Sequence, residues 1–183
     1  MYTMAVTVLG SDRPGIVCRV ARLLADQSCN IEGASQTVLQ NEFSGIFIVS
    51  VPDSLSPRQL DEALGQGLQG TDLFHFIKPV QDKTVWTSPE SEPFVVIAIG
   101  PDRVGLIAAV TCVMTEFEVN ITNLQFVSHS DAFHDQAVTI YQVDIPVRVR
   151  LSELVAALNE EAAKVGLEIN VQHKQIFEDI CRL

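Results

Sequence analysis

Two short segments of the sequence combine a carboxylate, an arginine and a glycine at one spacing. Asp12 precedes Gly15 by three residues, and Asp102 precedes Gly105 in the same way. Each segment follows a β-rich apolar run and precedes apolar residues at helical spacing, which predicts a strand-to-helix turn. Free backbone N–H groups at a helix start bind carboxylates, and a nearby carboxylate accepts from an ammonium group. An α-amino acid carries both charges, so the turns are candidate amino-acid sites.

A structural role is the alternative for the same residues. In that interpretation the aspartate caps the helix, the glycine permits a positive φ, and the arginine lies over the surface. Asn30 and Asn120, where second strands are predicted to begin, have two interpretations as well. Carbonyl groups beside them could hold an ammonium group, or the asparagines could be turn residues that tolerate unusual backbone angles. The residues alone leave both interpretations open.

The two candidate turns belong to an internal repeat. Residues 10–17 return as residues 100–107, and the same shift places Asn30-Ile31 on Asn120-Ile121. Identity survives mainly at Gly, Asp, Arg and Asn, so shared hydrophobicity does not explain the match. We predict one domain at residues 1–79, a linker at 80–92, and a second domain with a short C-terminal tail at 93–183. The linker region is polar and punctuated by prolines.

Each copy predicts the element order β-α-β-β-α-β. In the first copy, Ser56, Pro57 and Gln59 form the start signal of the second helix, and in the second copy the corresponding helix stops at Gly166. Two right-handed β-α-β crossovers place both helices on one face of a four-stranded antiparallel sheet. The predicted class is α+β, with two tandem ferredoxin-like domains.

Charge and composition exclude several classes of protein. The 12 basic and 23 acidic residues give a net charge of −11, shared as −5 in residues 1–92 and −6 in residues 93–183. Without a run of Lys or Arg, such a chain is not expected to bind nucleic acid directly. No signal peptide and no stretch of about 20 apolar residues is present, so we expect a cytoplasmic protein that does not bind membranes. The four scattered cysteines indicate reduced, buried thiols.

Catalytic and metal-binding motifs are missing from the sequence. It contains no G-x-S-x-G, Walker A or G-x-G-x-x-G motif, and no C-x-x-C or H-E-x-x-H spacing. His129 and His134, with Asp131 and Asp135, could bind a metal, but these residue types are also usual in a solvated hairpin loop, which we favour. We predict no enzyme activity, no metal and no cofactor.

The strand, the Asp-Arg-Pro-Gly turn, the helix and the Asn-Ile pair about fifteen residues later resemble the ACT domain, an amino-acid-sensing module of β-α-β-β-α-β topology. The resemblance covers residues 3–79 and 93–176. Two such domains without an attached enzyme are similar to the glycine cleavage system regulatory protein family, whose members repress transcription through a partner activator that binds DNA. This resemblance implies a regulatory protein with glycine or a similar amino acid as effector, a transcriptional activator of glycine or one-carbon metabolism as partner, and a homo-oligomeric state.

In ACT domains the ligand lies at a domain interface near the first turn and the start of the second strand. The resemblance therefore implies these ligand-binding residues: Asp12, Arg13, Pro14, Gly15, Ile16, Asn30 and Ile31 in the first copy, and Asp102, Arg103, Val104, Gly105, Leu106, Asn120 and Ile121 in the second. Because Val104 replaces the rigid Pro14, we favour the first copy. A ligand-independent interaction module, or an allosteric subunit acting in trans on an enzyme of amino-acid metabolism, are the alternatives.

Overall fold

The computed structural model describes residues 1–80, 90–128 and 136–181. The chain divides into two compact units, Met1–Val85 and Trp86–Leu183. The predicted linker at residues 80–92 lies largely outside the described residues. Val80 still donates its backbone N–H to the carbonyl of Thr3 (2.9 Å), and the next described strand begins at Ser91. The exact domain boundaries stay a prediction.

Unit 1 contains four strands and two helices in the predicted order. They are β1 (Tyr2–Ser11), α1 (Ile16–Asp26), β2 (Asn30–Leu39), β3 (Glu42–Val51), α2 (Pro57–Leu68) and β4 (Phe74–Pro79). The sheet order is β2-β3-β1-β4, and every neighbouring pair is antiparallel. This arrangement confirms the predicted ferredoxin-like fold.

The core of unit 1 follows from two periodicities. Alternate residues of β1 and β3 are buried, which is the period of a strand with one covered face. The buried residues of the helices recur every four positions, which places them on one helix face. The two sets form one cluster: Met4, Val6, Val8, Phe43, Phe47, Val49 and Val51 from the sheet, and Ile16, Val20, Leu24, Leu60 and Leu64 from the helices. Both helices therefore lie on the same face of the sheet.

Helix α2 begins as its sequence predicts. Ser56 accepts from the backbone N–H of Gln59, the Gln59 side chain accepts from the backbone N–H of Ser56, and Pro57 is the first helical residue. This capping box satisfies two N–H groups that have no partner within the helix. Near the other end, a β-carbon at Gly67 would overlap the side chain of Leu23 on α1, so the absence of a side chain lets the two helices approach closely.

Unit 2 repeats the fold with the sheet order β6-β7-β5-β8. Its elements are β5 (Ser91–Pro101), α3 (Leu106–Glu116), β6 (Asn120–Ser128), β7 (Gln136–Pro146), α4 (Leu151–Val165), β8 (Glu168–His173) and α5 (Lys174–Cys181). Tyr141 is the largest fully buried side chain, at the position that Phe47 occupies in unit 1. Its hydroxyl forms a hydrogen bond with Thr139 on the same strand.

The C-terminal segment differs from the prediction. We expected a short tail after the last strand, but residues 174–181 form helix α5, a third helix in this unit. The segment follows β8 directly, without a glycine or proline to mark the change from strand to helix. Without that punctuation, the sequence gives no start signal for a helix that contains Ile176, Phe177 and Ile180. Among the described helices, none combines the length and apolar character needed to cross a bilayer.

Candidate functional site

A glycine in the left-handed region begins the first helix of each unit. Gly15 has φ 99° and Gly105 has φ 97°, and each is the N-cap residue of its helix. A β-carbon at either position would meet nothing within 4 Å, so the backbone angle, not crowding, requires glycine. The positive φ that the sequence suggested is confirmed at both turns.

The aspartate of the first turn does not cap its helix. The N-cap residue of α1 is Gly15, with no side-chain cap hydrogen bond, and no described hydrogen bond joins the Asp12 side chain to α1, so the capping interpretation is wrong for Asp12. The N-cap residue of α3 is Gly105, and the role of Asp102 stays a prediction. Asp12 instead donates its backbone N–H to the carbonyl of Asn41 (2.7 Å), which ties the turn to the β2–β3 hairpin. The first N–H groups of a helix lack partners within the helix, so those of α1 and α3 remain donors for an anion.

A cleft of about 250 Å³ lies beside the turn of unit 1. We call it the charged cleft. Its walls are Ser11, the turn at residues 13–16, Arg19 of α1, and residues 71–73 of the loop between α2 and β4. The loop approaches the end of β1 closely, since a β-carbon at Gly10 would lie 2.6 Å from the carbonyl oxygen of Asp72.

Opposite charges face each other in the charged cleft. The Nη2 atom of Arg13 lies 3.7 Å from Oδ2 of Asp72. A hydrogen bond from the Ser11 hydroxyl, with a further contribution from the Arg13 charge, lowers the pKa of Asp72 below its ordinary value. Arg19 donates Nε to the carbonyl oxygen of Gly67 (2.9 Å), which holds its side chain between the two helices. The cleft thus presents guanidinium groups, an ionised carboxylate and the start of α1 to one small volume.

A second depression lies on the other side of the same turn. It has a volume of about 300 Å³ and is lined by Asp12, residues 13–18, Gln36 of β2 and Phe43 of β3. Asp12 therefore faces away from the charged cleft, and the predicted carboxylate of the site is replaced there by Asp72. Exposed Cys18 also lines this depression, whereas Cys29 is buried. The prediction of buried thiols is correct for Cys29 and wrong for Cys18 and for the exposed Cys112.

The start of the second strand lies far from the turn within each unit. Asn30 pairs with Ser50, which pairs with Thr3, whereas Asp12 follows the opposite end of β1. Thr3, in the same row as Asn30, and Asp12 are nine residue positions apart along the chain, which corresponds to about 30 Å along the sheet. In unit 2, Asn120 lies in the same row of the sheet as Pro93, near the start of β5, whereas the turn follows the opposite end of that strand. Within one unit the turn and the start of the second strand therefore do not form one site, and their grouping at a domain interface stays a prediction.

The residues at the start of β2 and β6 have structural roles. Ile31 and Ile121 pack against the two hydrophobic cores. The asparagines do not adopt left-handed backbone angles. The positive φ angles fall two residues earlier, at Ser28 (57°) and Glu118 (55°). The interpretation of Asn30 and Asn120 as residues with unusual backbone angles is therefore also wrong.

Unit 2 has a different surface at its turn. A depression of about 490 Å³ is lined by Arg103, residues 105–108, Thr111 and Phe126. Ala109 stands where the repeat carries Arg19 in unit 1, and only residues 166–167 connect α4 to β8. The short connection therefore carries no counterpart of Asp72, and Val104 projects fully into solvent. Arg103 is the single charged residue among the described residues that line this depression.

Sequence reasoning missed Arg19, Thr71 and Asp72 as residues of the site. A signal was available, because five residues (69–73) connect α2 to β4 where two connect the matching elements of unit 2. Hydrogen bonds of the Thr71 hydroxyl with the Leu68 carbonyl (2.6 Å) and the Leu73 N–H (3.3 Å) hold that longer loop in shape. The extra residues of this loop bring the Asp72 carboxylate into the charged cleft.

The predicted loop that contains His129 and His134 lies outside the described residues. In the ranges that the structure does describe, no group of three His, Cys, Asp or Glu side chains could hold a metal ion. His75 of β4 forms a pair with Asp61 of α2, with 3.0 Å between Nε2 and Oδ1. This pair links the sheet to the helix on the covered side of unit 1.

Comparison with protein families gives two matches in this chain. The family model described as ACT domain matches residues 3–73 and 92–172, which is more than half of the chain. Among solved structures, a protein of unknown function from Galdieria sulphuraria aligns over 94% of this chain and 98% of its own, with a TM-score of 0.75 and 25% identity. A candidate glycine cleavage system transcriptional repressor aligns over the same shares with a TM-score of 0.66 and 19% identity, which shows a common fold.

Three curated relatives match segments of the sequence. The UPF0237 protein of Methanopyrus kandleri is 43% identical over 54 residues, 30% of this chain and 60% of that protein's length. The UPF0237 protein of Methanococcus maripaludis is 33% identical over 93 residues, 50% of this chain and 99% of its own. The glycine cleavage system transcriptional repressor of Escherichia coli K12 is 39% identical over 49 residues, 27% of this chain and 26% of the repressor.

Proposed function

The chain belongs to the ACT domain family, and we therefore propose that it is a non-enzymatic regulatory protein that senses a small amino acid through unit 1. The observation that supports this proposal most directly is the pairing of Arg13 and Asp72 across the charged cleft. Its opposite charges suit a ligand that carries both an ammonium and a carboxylate group.

A zwitterion can enter between these residues without leaving a charge unpaired. Its carboxylate accepts from the Arg13 guanidinium and from the first N–H groups of α1, and its ammonium group donates to Asp72. A ligand with one charge would bind either Arg13 or Asp72 and would leave the other residue without an oppositely charged partner. The cleft therefore favours an α-amino acid over a simple anion or amine.

The size of the cleft favours a small side chain. Pockets for drug-sized ligands occupy about 300–1,000 Å³, and the charged cleft holds about 250 Å³. Glycine or a similarly small amino acid fits this volume. Because both charged side chains are substantially exposed, each ionic contact is weakened by solvent, and we expect a dissociation constant of about 10 µM to 1 mM.

The predicted residues at Asn30 and Ile31 would contribute to such a site only from another domain, since they lie at the far end of their own sheet. In unit 2 the predicted residues are Asp102, Arg103, Val104, Gly105, Leu106, Asn120 and Ile121. The described turn there pairs no carboxylate with Arg103 across the depression. We assign sensing to unit 1.

The downstream partner is proposed to be a protein. A relative over one segment is a transcriptional repressor of the glycine cleavage system in Escherichia coli. A chain with a net charge of −11 is repelled by DNA at long range. We propose that ligand binding changes contact with a transcriptional activator of glycine or one-carbon metabolism, since a ligand shifts an equilibrium only by its differential affinity for two states.

Isothermal titration calorimetry of the full chain against free amino acids tests the sensing step. We expect heat with glycine or another small amino acid, and none with glycinamide or acetate, which each lack one of the two charges. Arg13→Gln should abolish the signal, whereas Arg103→Gln, its counterpart in the repeat, should leave it unchanged.

Two outcomes would contradict the proposal. Absence of binding at about 10 mM of every amino acid, well above the expected dissociation constants, would favour a ligand-independent interaction module. Loss of binding in Arg103→Gln but not in Arg13→Gln would place the site in unit 2.

The identity of the partner protein is tested separately. Capture of an enzyme of amino-acid metabolism in place of an activator would favour an allosteric subunit acting in trans.

A further inference from the structure

The sheet of unit 1 has an apolar face on the side opposite its helices. Strand residues alternate between the two faces, so those that flank the buried positions of β1 and β3 and the half-buried positions of β4 point away from the helical side. Phe74 is 73% exposed, Phe76 is 66% exposed, and Leu9 and Ile46 are each 48% exposed. We call the surface formed by Ala5, Leu9, Ile46, Ile48, Phe74 and Phe76 the outer face.

The residues of the outer face are contiguous. Leu9 lies opposite Phe74 in the pairing of β1 with β4, and Thr7 lies between Phe76 and Ile46 across the next row. A shallow groove of about 750 Å³ runs over this surface. Monomeric soluble proteins rarely expose apolar patches of more than a few hundred Å², and larger patches mark interaction sites.

The matching strand of unit 2 shows that the fold does not require these aromatic residues. Phe74 and Phe76 lie opposite Leu9 and Thr7 on the central strand of unit 1. At the same level of β8, Glu168 lies opposite Ile99 and Asn170 lies opposite Ile97. Both edge strands have the same task of pairing with a central strand, but only β4 carries large apolar side chains on its outer positions.

We propose that the outer face of unit 1 is the surface on which a second copy of this chain docks. The two faces would pack by the same residues, as in the isologous interface of a two-fold dimer. Stacked sheets lie about 10 Å apart with interleaved side chains. Phe74 and Phe76 of each copy would then be covered by the partner copy.

The size of the outer face agrees with this occupant. Three strands spaced about 4.8 Å apart, with six to ten residues each at about 3.3 Å, cover a plane of roughly 300–500 Å². Weak interfaces bury less than about 1,200 Å² in total, or about 600 Å² per partner, so the area of the outer face, with its protruding phenylalanine rings, suits a weak dimer.

The charge of the groove also favours self-association through this face. The chain carries a net charge of −11, so two copies repel each other through most of their surface. Among the described residues, those that line the groove include one lysine, Lys78, and no carboxylate. Two acidic molecules that meet here bring no carboxylates of this described lining into contact.

Sedimentation velocity of the full chain over about 1–200 µM, a range that covers typical weak homodimers, tests the proposal. We expect wild type to shift from the 20.1 kDa monomer to the dimer as concentration rises. The variant Phe74→Glu/Phe76→Asn carries the residues found at the matched positions of unit 2, and we expect it to stay monomeric over the whole range.

Val38→Glu is the matched control. Val38 is 47% exposed and lies opposite Phe43, on the helical side of the same sheet, and its substitution adds the same single negative charge. We expect this variant to dimerise like wild type. Circular dichroism and thermal unfolding of each variant establish that it is folded.

Any one of three results would overturn the proposal. A wild type that remains monomeric at the highest concentration shows that the outer face does not bind a second copy. A folded Phe74→Glu/Phe76→Asn variant that dimerises as tightly as wild type shows that self-association uses another surface. Loss of dimerisation in Val38→Glu as well would assign the effect to added charge and would contradict the assignment to this face.

Discussion

The guanidinium of Arg13 faces the carboxylate of Asp72 at 3.7 Å, across a gap wider than the roughly 2.8 Å of a direct charge-assisted hydrogen bond. One residue belongs to the turn before α1, and the other belongs to the loop before β4. The two segments meet because Gly10 has no side chain to separate Asp72 from the end of β1. This loose pair is the part of the molecule on which ligand binding is expected to depend.

Asp72→Asn should abolish amino-acid binding, because the amide cannot balance the ligand's ammonium charge. Asp26→Asn, at the exposed end of α1, removes the same charge outside the cleft and should leave binding unchanged. Calorimetry of the two variants with the amino acid that binds wild type most tightly gives the comparison. Equal loss of affinity in both would point to a general effect of charge and against a role for Asp72.

The pH dependence of binding provides a separate test. The Ser11 hydroxyl, together with Arg13, holds the pKa of Asp72 below its ordinary value of 3.8. A lowered pKa means that the carboxylate stays ionised as the pH falls, and that its contribution is lost only when the pH falls through that lowered value. Affinity should therefore be constant from pH 7 to pH 5. A drop of several-fold in that interval would contradict an ionised Asp72 as the ammonium partner.

Gly15→Ala should destabilise unit 1 without steric overlap. An L-residue in the left-handed region costs about 1–2 kcal/mol, and the φ of Gly15 is 99° with open space around it. Gly33→Ala is the control, since Gly33 has equally open surroundings and no positive φ. Alanine there should change the free energy of unfolding little. Urea unfolding monitored by circular dichroism measures both, and equal losses would contradict the backbone argument.

Ser56→Ala should weaken the start of α2. The substitution removes the side-chain acceptor of the capping box, which is worth about 1 kcal/mol. Ser54→Ala changes an exposed serine two residues earlier, outside the cap, and should have little effect. The midpoint of urea unfolding separates the two variants. An unchanged midpoint in Ser56→Ala would show that the capping box does not limit the stability of unit 1.

Tyr141 should make unit 2 sensitive to alkaline pH. Burial raises the pKa of Tyr141 above its ordinary value of 10.0. Above pH 10 the unfolded chain ionises while the folded chain keeps its phenol proton, so the unfolded state binds fewer protons and stability falls as pH rises. Stability from this residue is complete below pH 10 and is lost as the pH passes through the raised pKa.

Tyr141→Phe should remove that alkaline loss. Phenylalanine fits because unit 1 carries Phe47 at the matched position. The variant loses the hydrogen bond with Thr139, which should cost about 1 kcal/mol at pH 7. Urea unfolding at pH 8 and pH 10.5 distinguishes the two effects. A stability difference between the two pH values that is the same in wild type and variant would contradict the role of Tyr141.

Local features of this protein were predictable from the sequence. The capping box at Ser56 and the positive φ at Gly15 and Gly105 depend on residues within about one turn of each other. The repeat and the order β-α-β-β-α-β follow from matching residues and from hydrophobic periods that can be read along the chain. Such features follow from backbone angles and short-range hydrogen bonds, which the residue types themselves limit. Helix α5 escaped prediction because no punctuating residue separates it from β8.

The candidate site and the outer face were decided only by the tertiary structure. The sequence offers Asn30 and the turn of Asp12 as parts of one ligand site, and only the antiparallel register shows that they lie at opposite ends of one sheet within a unit. The same folding brings Asp72, nearly sixty residues along the chain, to Arg13. Register and crossover paths determine which distant side chains meet, and they also decide that Phe74 and Phe76 face solvent. These properties depend on the packing of whole elements, which no single segment of the chain encodes.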